Sequence, residues 1–206
     1  MMIDPSSPAW VAARVGRLTG SRFGDAIAKQ KNGKWAASRE NLLFDLLAER
    51  LTGVAKDHFV TPAMEWGLLN ESPAVELLEV RTGILFDKAG FCLHPTIEHF
   101  GATPDRFIGI DGVLEVKCPT TKTHLQYLMN KTVPVEYQPQ MMAEIVCTGR
   151  KWARFASFDP RMPPNQQLFV IDFNPRAEEL QEAEQLARDF LAELDAMFER
   201  ITLEAA

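Results

Sequence analysis

The chain has 206 residues, 46% hydrophobic and 24% charged, with a formal net charge of −6. That length supports one substantial core but is short for two, and the apolar content excludes a disordered, collagen-like or low-complexity chain. No run nears the ~18 apolar residues of a membrane span, no basic segment with an apolar run opens the chain, and three scattered cysteines lack zinc or disulfide spacing, so a cytoplasmic protein with no membrane partner is expected.

Ser7-Pro8 opens a short helix through Trp10, Val11 and Arg14, because proline suits the first helical position. The turn GRLTGS follows, a second helix begins near Ser21, and KQKNGK forms a basic loop. Ser38 is placed to cap the apolar helix NLLFDLLAERL, which Gly53 stops. Thr61-Pro62 starts a helical region running toward Gly83. Pro73 within it must kink the helix or restart it, having no amide donor. From Gly83 the pattern changes: GILFDK, GFCLHP, EHFGAT, RFIGI and VLEVKC read as short strands and hairpins. Two helices, around THLQYLM and QPQMMAEIVCTG, precede the strands KWARFASF and QLFVIDF. The last helix spans roughly Pro175 to Leu203, its apolar residues at spacings of three and four from Leu180 to Ile201. With no repeat and no linker, residues 1–206 read as a single α/β domain, a central mixed sheet flanked by helices.

Charge is distributed unevenly. From Arg14 to Arg39 there are seven basic residues and one acid, a local +6; from Arg176 onward there are three arginines and nine acids, a local −6. This asymmetry describes an anion-facing side and a solvated acidic side, or two exposed helical faces with no further role.

The segment ATPDRFIGIDGVLEVKCP carries the chemistry. Asp105 precedes one strand, and Glu115 and Lys117 lie in the next, on the same face, with Val116 turned to the core. A hairpin through Asp111-Gly112 brings Asp105 beside Glu115. Two carboxylates ~4 Å apart repel by about 4 kcal/mol at an effective dielectric near 20, a cost that a cation or a shared proton offsets. Oxygen ligands select Mg²⁺ or Mn²⁺ over zinc, and a lysine alongside suits hydrolysis of a phosphodiester. Taken alone, the pattern also describes a surface hairpin with a Glu115–Lys117 ion pair.

PD followed ten residues later by ExK resembles the PD-(D/E)xK nucleases, whose fold is restriction-endonuclease-like. Specifically, the chain resembles the lambda exonuclease and YqaJ-type phage recombination nucleases. The similar segments, in family order, are RVGRLTGSRFGDAIAK, AMEWGLLNESPAVELLE, TPDRFIGIDGVLEVKCP, EYQPQMMAEIVCTGRKWARFASFDPRM and the acidic last helix. The resemblance implies that Asp105, Glu115 and the Val116 carbonyl bind Mg²⁺ (or Mn²⁺), two ions per site, with Glu71 as an additional acidic ligand. Lys117 would be the catalytic lysine, Gln140 would organise the site, and Tyr137 would lie nearby or in the core. It also implies that Arg14, Thr19, Ser21 and Thr103 hold the 5′-phosphate of the degraded strand. Lys122 would stand where the family has an arginine, without its two-pronged geometry. From the residues alone, Arg14 is a surface charge and Thr19 or Ser21 a helix cap just as readily as a phosphate site.

The same resemblance assigns Lys31 to the DNA channel and Met64 to an apolar wedge that parts the strands. It implies a toroidal homotrimer acting on duplex ends, and a single-strand annealing protein that receives the exposed 3′ strand in a phage or prophage setting. The expected activity is 5′-to-3′ digestion of linear duplex DNA. An endonuclease of the same fold, or a non-catalytic end-binding adaptor, are the alternatives. His58, His94, His99 and His124 show no ligand spacing, Cys118 is expected to pack beneath the site, and no phosphate loop for a nucleotide is present.

Overall fold

Helix boundaries follow local chemistry along residues 7–56 and 61–204, which the computed structural model describes. Helix α1 (Pro8–Arg14) is capped by Ser7, whose Oγ accepts from the Trp10 amide at 3.2 Å. The GRLTGS segment is more than a turn, since it contains a two-residue strand, β1 (Leu18–Thr19). Helix α2 (Gly20–Ala26) then starts one residue before Ser21, with Thr19 at its N-cap position. Helix α3 (Ala37–Thr52) also starts ahead of the residue expected to cap it, so Ser38 lies inside the first turn and Ala36 is the cap. Gly53 ends α3 in the left-handed conformation, as expected.

Helix α4 (Pro62–Thr82) is capped by Thr61 and runs unbroken to Gly83, so Pro73 neither breaks nor restarts it. The carbonyl that loses its partner to Pro73 belongs to Leu69, an exposed position of the helix (74%), where the lost bond costs less than it would in the core.

The remaining elements are β2 (Asp87–Lys88), β3 (Cys92–Leu93), β4 (Phe100–Ala102), β5 (Arg106–Ile108), β6 (Gly112–Lys117), α5 (Thr121–Asn130), α6 (Gln138–Thr148), β7 (Trp152–Phe158), β8 (Leu168–Phe173) and α7 (Ala177–Glu204). The central sheet has the order β2-β5-β6-β7-β8, with β6 and β7 parallel and the other pairs antiparallel. A parallel pair needs a long crossover, and α5 with α6 supplies it. This is the predicted mixed sheet. Strands β3 and β4 fall in the segments GFCLHP and EHFGAT, as expected, but their separation into a second sheet, β1-β4-β3, was not foreseen, because the two-residue β1 is too short to show alternation.

The central sheet has a different cover on each face. Ile108, Leu114 and Val116 pack with Ala74, Val75 and Leu78 of α4. On the other face Val113 and Phe155 pack with Tyr127, Met141 and Ile145. Phe155 is fully buried, stacked on Tyr137 (centroids 5.4 Å apart) and edge-on to Tyr127 (5.6 Å). Complete burial of such a ring contributes about 1.5–3 kcal/mol. The α7 stripe lies over α2 and α3, with Phe190 and Leu194 packed among Phe23, Leu42 and Leu46.

The β5–β6 hairpin is held at its tip. Gly109 adopts a φ of 53°, and Arg150 Nη1 donates to the carbonyls of Gly109 (2.7 Å) and Gly112 (3.0 Å). Trp152 lies so close to Gly112 that an added Cβ would come within 2.5 Å of its ring. The hairpin therefore has a fixed register on β7, and that register aims the side chains of the site.

Candidate active site

Alternation along β6 divides the ExK motif between the two covers. Val116 goes into the α4 side with Leu114, while Glu115 and Lys117 face α6. Asp105 sits at the entrance to β5, its amide donating to the Leu114 carbonyl at 3.1 Å. Its Oδ2 accepts from the Val116 N–H at 2.6 Å. Lys117 Nζ is ion-paired with Glu115 and lies 5.0 Å from the centroid of the Tyr137 ring. From α6, Gln140 Nε2 donates to Glu115 Oε1 at 2.7 Å and to Glu144 Oε1 at 2.9 Å. Pro139 stands in the first turn of α6, as expected, so Gln140 lies in that turn beside the sheet. Glu71 reaches the same end of the sheet from α4, its Oε1 accepting from Arg106 Nη1 at 3.1 Å.

Asp105, Glu115, Lys117 and Gln140 thus gather at one strand end, with Val116 between the two motif side chains and Glu71 alongside. Two further members were not singled out from sequence. Glu144 is buried and shares Gln140 with Glu115. The available signal was an acid one helical turn after Gln140, among the apolar residues Met141, Ala143 and Ile145. Arg106, next to Asp105, reads from sequence as an ordinary strand cation. Only the packing of β5 on α4 shows its partner.

The electrostatics of this corner favour a cation. Burial, then the Glu115 and Glu71 carboxylates, push Asp105 well above the usual carboxylate range. Burial and Glu115 do the same to Glu144. Burial works against the Lys117 ammonium, but Glu115 and Asp105 outweigh it and hold the lysine above its ordinary value. Cys118 lies half-buried below, its thiol pushed up to about 12 by burial, then by Glu71 and Asp105. Among the described residues, no three carboxylate, imidazole or thiol side chains form a ready-made cage for a metal ion. The donor set nevertheless fits a hard divalent cation. Glu115 Oε2 is buried with no hydrogen-bond partner, and the Asp105 and Glu71 carboxylates beside it add further oxygen donors.

The predicted phosphate residues converge in part. A cavity of about 350 Å³ is lined by Trp10, Arg14, Thr19, Ser21, Arg22 and Met64, among others. The Arg14 guanidinium lies 3.9 Å from the Trp10 ring centroid, and Trp10 Nε1 donates to Thr103 Oγ1 at 3.1 Å. Trp10, not foreseen, therefore ties Arg14 to Thr103. The Thr19 and Ser21 hydroxyls are 3.4 Å apart. Burial, with Arg22 nearby, pushes Arg14 down to about 10, which leaves it charged at neutral pH. Lys122 is not among the residues lining this cavity. It is exposed in the first turn of α5. Lys31 is exposed in the basic loop, outside the cavity, and Met64 is half exposed at its wall.

His124 and His94 are held by structural contacts. His124 is fully buried between Ser157 Oγ (2.7 Å) and the Gln166 carbonyl (2.8 Å). His94 Nδ1 accepts from the Thr96 and Ile97 amides. His58 lies outside the described residues. Among those described, no helix is long and apolar enough to cross a membrane.

Comparison with known proteins places this geometry in context. Residues 9–151 match the YqaJ-like viral recombinase domain. The fold is similar to an alkaline exonuclease (LHK-Exo) from Laribacter hongkongensis, with 36% identity over 97% of this chain and 98% of that one, at a TM-score of 0.90. The same figures hold against LHK-Exo in complex with dAMP. A phage related exonuclease from Haemophilus somnus 129PT shares the fold at 13% identity, over 92% of this chain and 96% of that one (TM-score 0.66). No protein of curated function matches the sequence.

Proposed function

Because the chain belongs to the YqaJ-like viral recombinase domain family, whose members include nucleases acting in recombination, we propose that it is a Mg²⁺-dependent exodeoxyribonuclease that digests one strand of linear duplex DNA from 5′-phosphorylated ends. The observation that carries this reading is the convergence of Asp105, Glu115 and Lys117 at the end of β6, with Gln140 braced against Glu115.

Asp105, Glu115 and the Val116 carbonyl would hold Mg²⁺ or Mn²⁺, with Glu71 at the side. A divalent ion bound there acts as a Lewis acid on the scissile phosphodiester and makes a water molecule more acidic. The protein's own groups do the positioning. The Val116 N–H fixes one Asp105 oxygen, and Gln140 fixes one Glu115 oxygen, leaving Glu115 Oε2 buried without a hydrogen-bond partner. Lys117 keeps its proton at Nζ and meets the negative charge that grows on the phosphoryl oxygens. Arg14, with the Thr19 and Ser21 hydroxyls, would take the terminal 5′-phosphate, since a guanidinium and hydroxyl donors suit a dianion. Met64, at the cavity wall, would act as the wedge between strands, and Lys31 would contact the incoming duplex.

Positive charge from Arg14 to Arg39 against an acidic α7 supports a ring with a basic channel, the toroidal homotrimer of the family. The single-strand product would pass to an annealing protein, in the cytoplasm of a bacterium carrying the phage or prophage. Digestion of matched linear and circular duplexes tests the activity. With Mg²⁺, linear DNA bearing 5′-phosphates is expected to yield mononucleotides and a surviving single strand, and circles are expected to stay intact. Nicked circles would make the protein an endonuclease, and DNA binding without nucleotide release would make it an adaptor.

A further inference from the structure

The three carboxylates of the proposed metal centre differ in their partners. Glu115 is ion-paired with Lys117, and Glu71 with Arg106, whereas Asp105 accepts its hydrogen bond from a main-chain N–H. The Arg106 contact is built into the fold. Arg106 and Ile108 share one face of β5, Ile108 packs with Val75 on α4, and Glu71 lies one helical turn before Val75. Arg106 Nη1 also donates to the Asp105 carbonyl, and the side chain is only 17% exposed. A permanent positive charge therefore stands against the Glu71 carboxylate and the Asp105 main-chain carbonyl, whatever the pH.

A divalent ion arriving beside Asp105 and Glu115 meets one unbridged carboxylate and the buried, unpartnered Oε2 of Glu115. A second ion, approaching Glu71, meets a guanidinium already holding that carboxylate at 3.1 Å. It must displace the guanidinium or bind against its charge. We propose that Arg106 is a resident cation of the cleavage site, taking the place of a second divalent ion at Glu71, so that the protein binds one divalent ion tightly and a second about tenfold more weakly or worse. This rests on the reading that Asp105 and Glu115 form a metal site. It makes Arg106 a positioning residue, acting through Glu71, and has the second ion supplied with the phosphodiester rather than stored in the free protein.

Titration of the full-length protein with Mn²⁺ alone, following loss of the free-ion electron paramagnetic resonance signal, counts the sites without any turnover. The unaltered protein is expected to take up one tight Mn²⁺ per chain. Arg106→Gln is expected to tighten the second site about tenfold, giving two ions of comparable affinity, whereas Arg106→Lys, which keeps the charge, is expected to retain one. Glu71→Gln is expected to leave the tight site unchanged, which tests the assignment should Arg106→Gln not fold. Two equal sites in the unaltered protein would overturn the proposal. So would an unchanged second site in Arg106→Gln, two equal sites in Arg106→Lys, or loss of the tight ion in Glu71→Gln. Asp105→Asn is expected to abolish tight binding, and its retention there would instead overturn the metal-site reading beneath.

Discussion

Replacing Lys117 with alanine is expected to slow nucleotide release by about 10²–10³-fold, the usual cost of removing one donor aimed at developing charge. Lys117 is well placed for that role. Its Nζ pairs with Glu115, and the side chain is 28% exposed, so the ammonium sits in a poorly solvated corner where a charge counts for more than in water. The neighbouring carboxylates keep it protonated, so its contribution is a positive charge and not a free amine. Single-turnover release of nucleotides measures the chemical step, and retardation of DNA by the same protein measures binding. The reading expects the first to fall steeply while the second changes little, because Arg14 and Lys31 lie elsewhere. Undiminished turnover would remove Lys117 from the mechanism. A parallel loss of binding would assign it to holding DNA instead.

Removal of Arg14 is expected to act on selectivity more than on chemistry. The guanidinium lies against Trp10 and faces a cavity shared with the Thr19 and Ser21 hydroxyls. A charge-assisted contact to a phosphate is worth about 1.5–3 kcal/mol, so Arg14→Ala should lower the ratio of initial rates on 5′-phosphate over 5′-hydroxyl ends by roughly 10- to 100-fold. Arg14→Lys should restore only part of it, since an ammonium neither stacks on Trp10 in the same way nor offers a planar fork. An unchanged ratio in Arg14→Ala would place the phosphate elsewhere. Lys122, exposed on α5 and outside this cavity, is the less suitable alternative.

Much of this architecture was legible because the governing signals are local. Period-2 alternation in VLEVKC put Glu115 and Lys117 on one face and Val116 on the other, and the structure agrees. The α7 stripe and the stop at Gly53 are equally local, resting on helical spacing and on a glycine that accepts positive φ. One cap was misplaced. Ser38 looked like the cap of α3, but the extended residue at the start of that helix is Ala36, so Ser38 falls within the first turn. Pro73 read as an interruption because sequence does not reveal that the affected carbonyl belongs to an exposed position of the helix. The small β1-β4-β3 sheet depends on pairing between residues about eighty positions apart, which no local pattern records.

The site follows the same division. Motif spacing pointed to Asp105, Glu115 and Lys117, but partner choice is a tertiary property. Arg106 reaches Glu71 only because β5 packs on α4, and Trp10 joins Arg14 to Thr103 across 93 positions of the chain. Glu144 was the nearest miss. An acid flanked by buried apolar residues one turn from Gln140 is a stronger signal than its ordinary composition suggests, because a buried carboxylate requires a partner.

Diffraction from crystals soaked in Mn²⁺, measured at the manganese absorption edge, addresses the central claim most directly. The account predicts an anomalous peak within coordination distance of Asp105, Glu115 and the Val116 carbonyl. Crystals that bind Mn²⁺ elsewhere, with Asp105 and Glu115 still engaged only by Val116, Gln140 and Lys117, would contradict it.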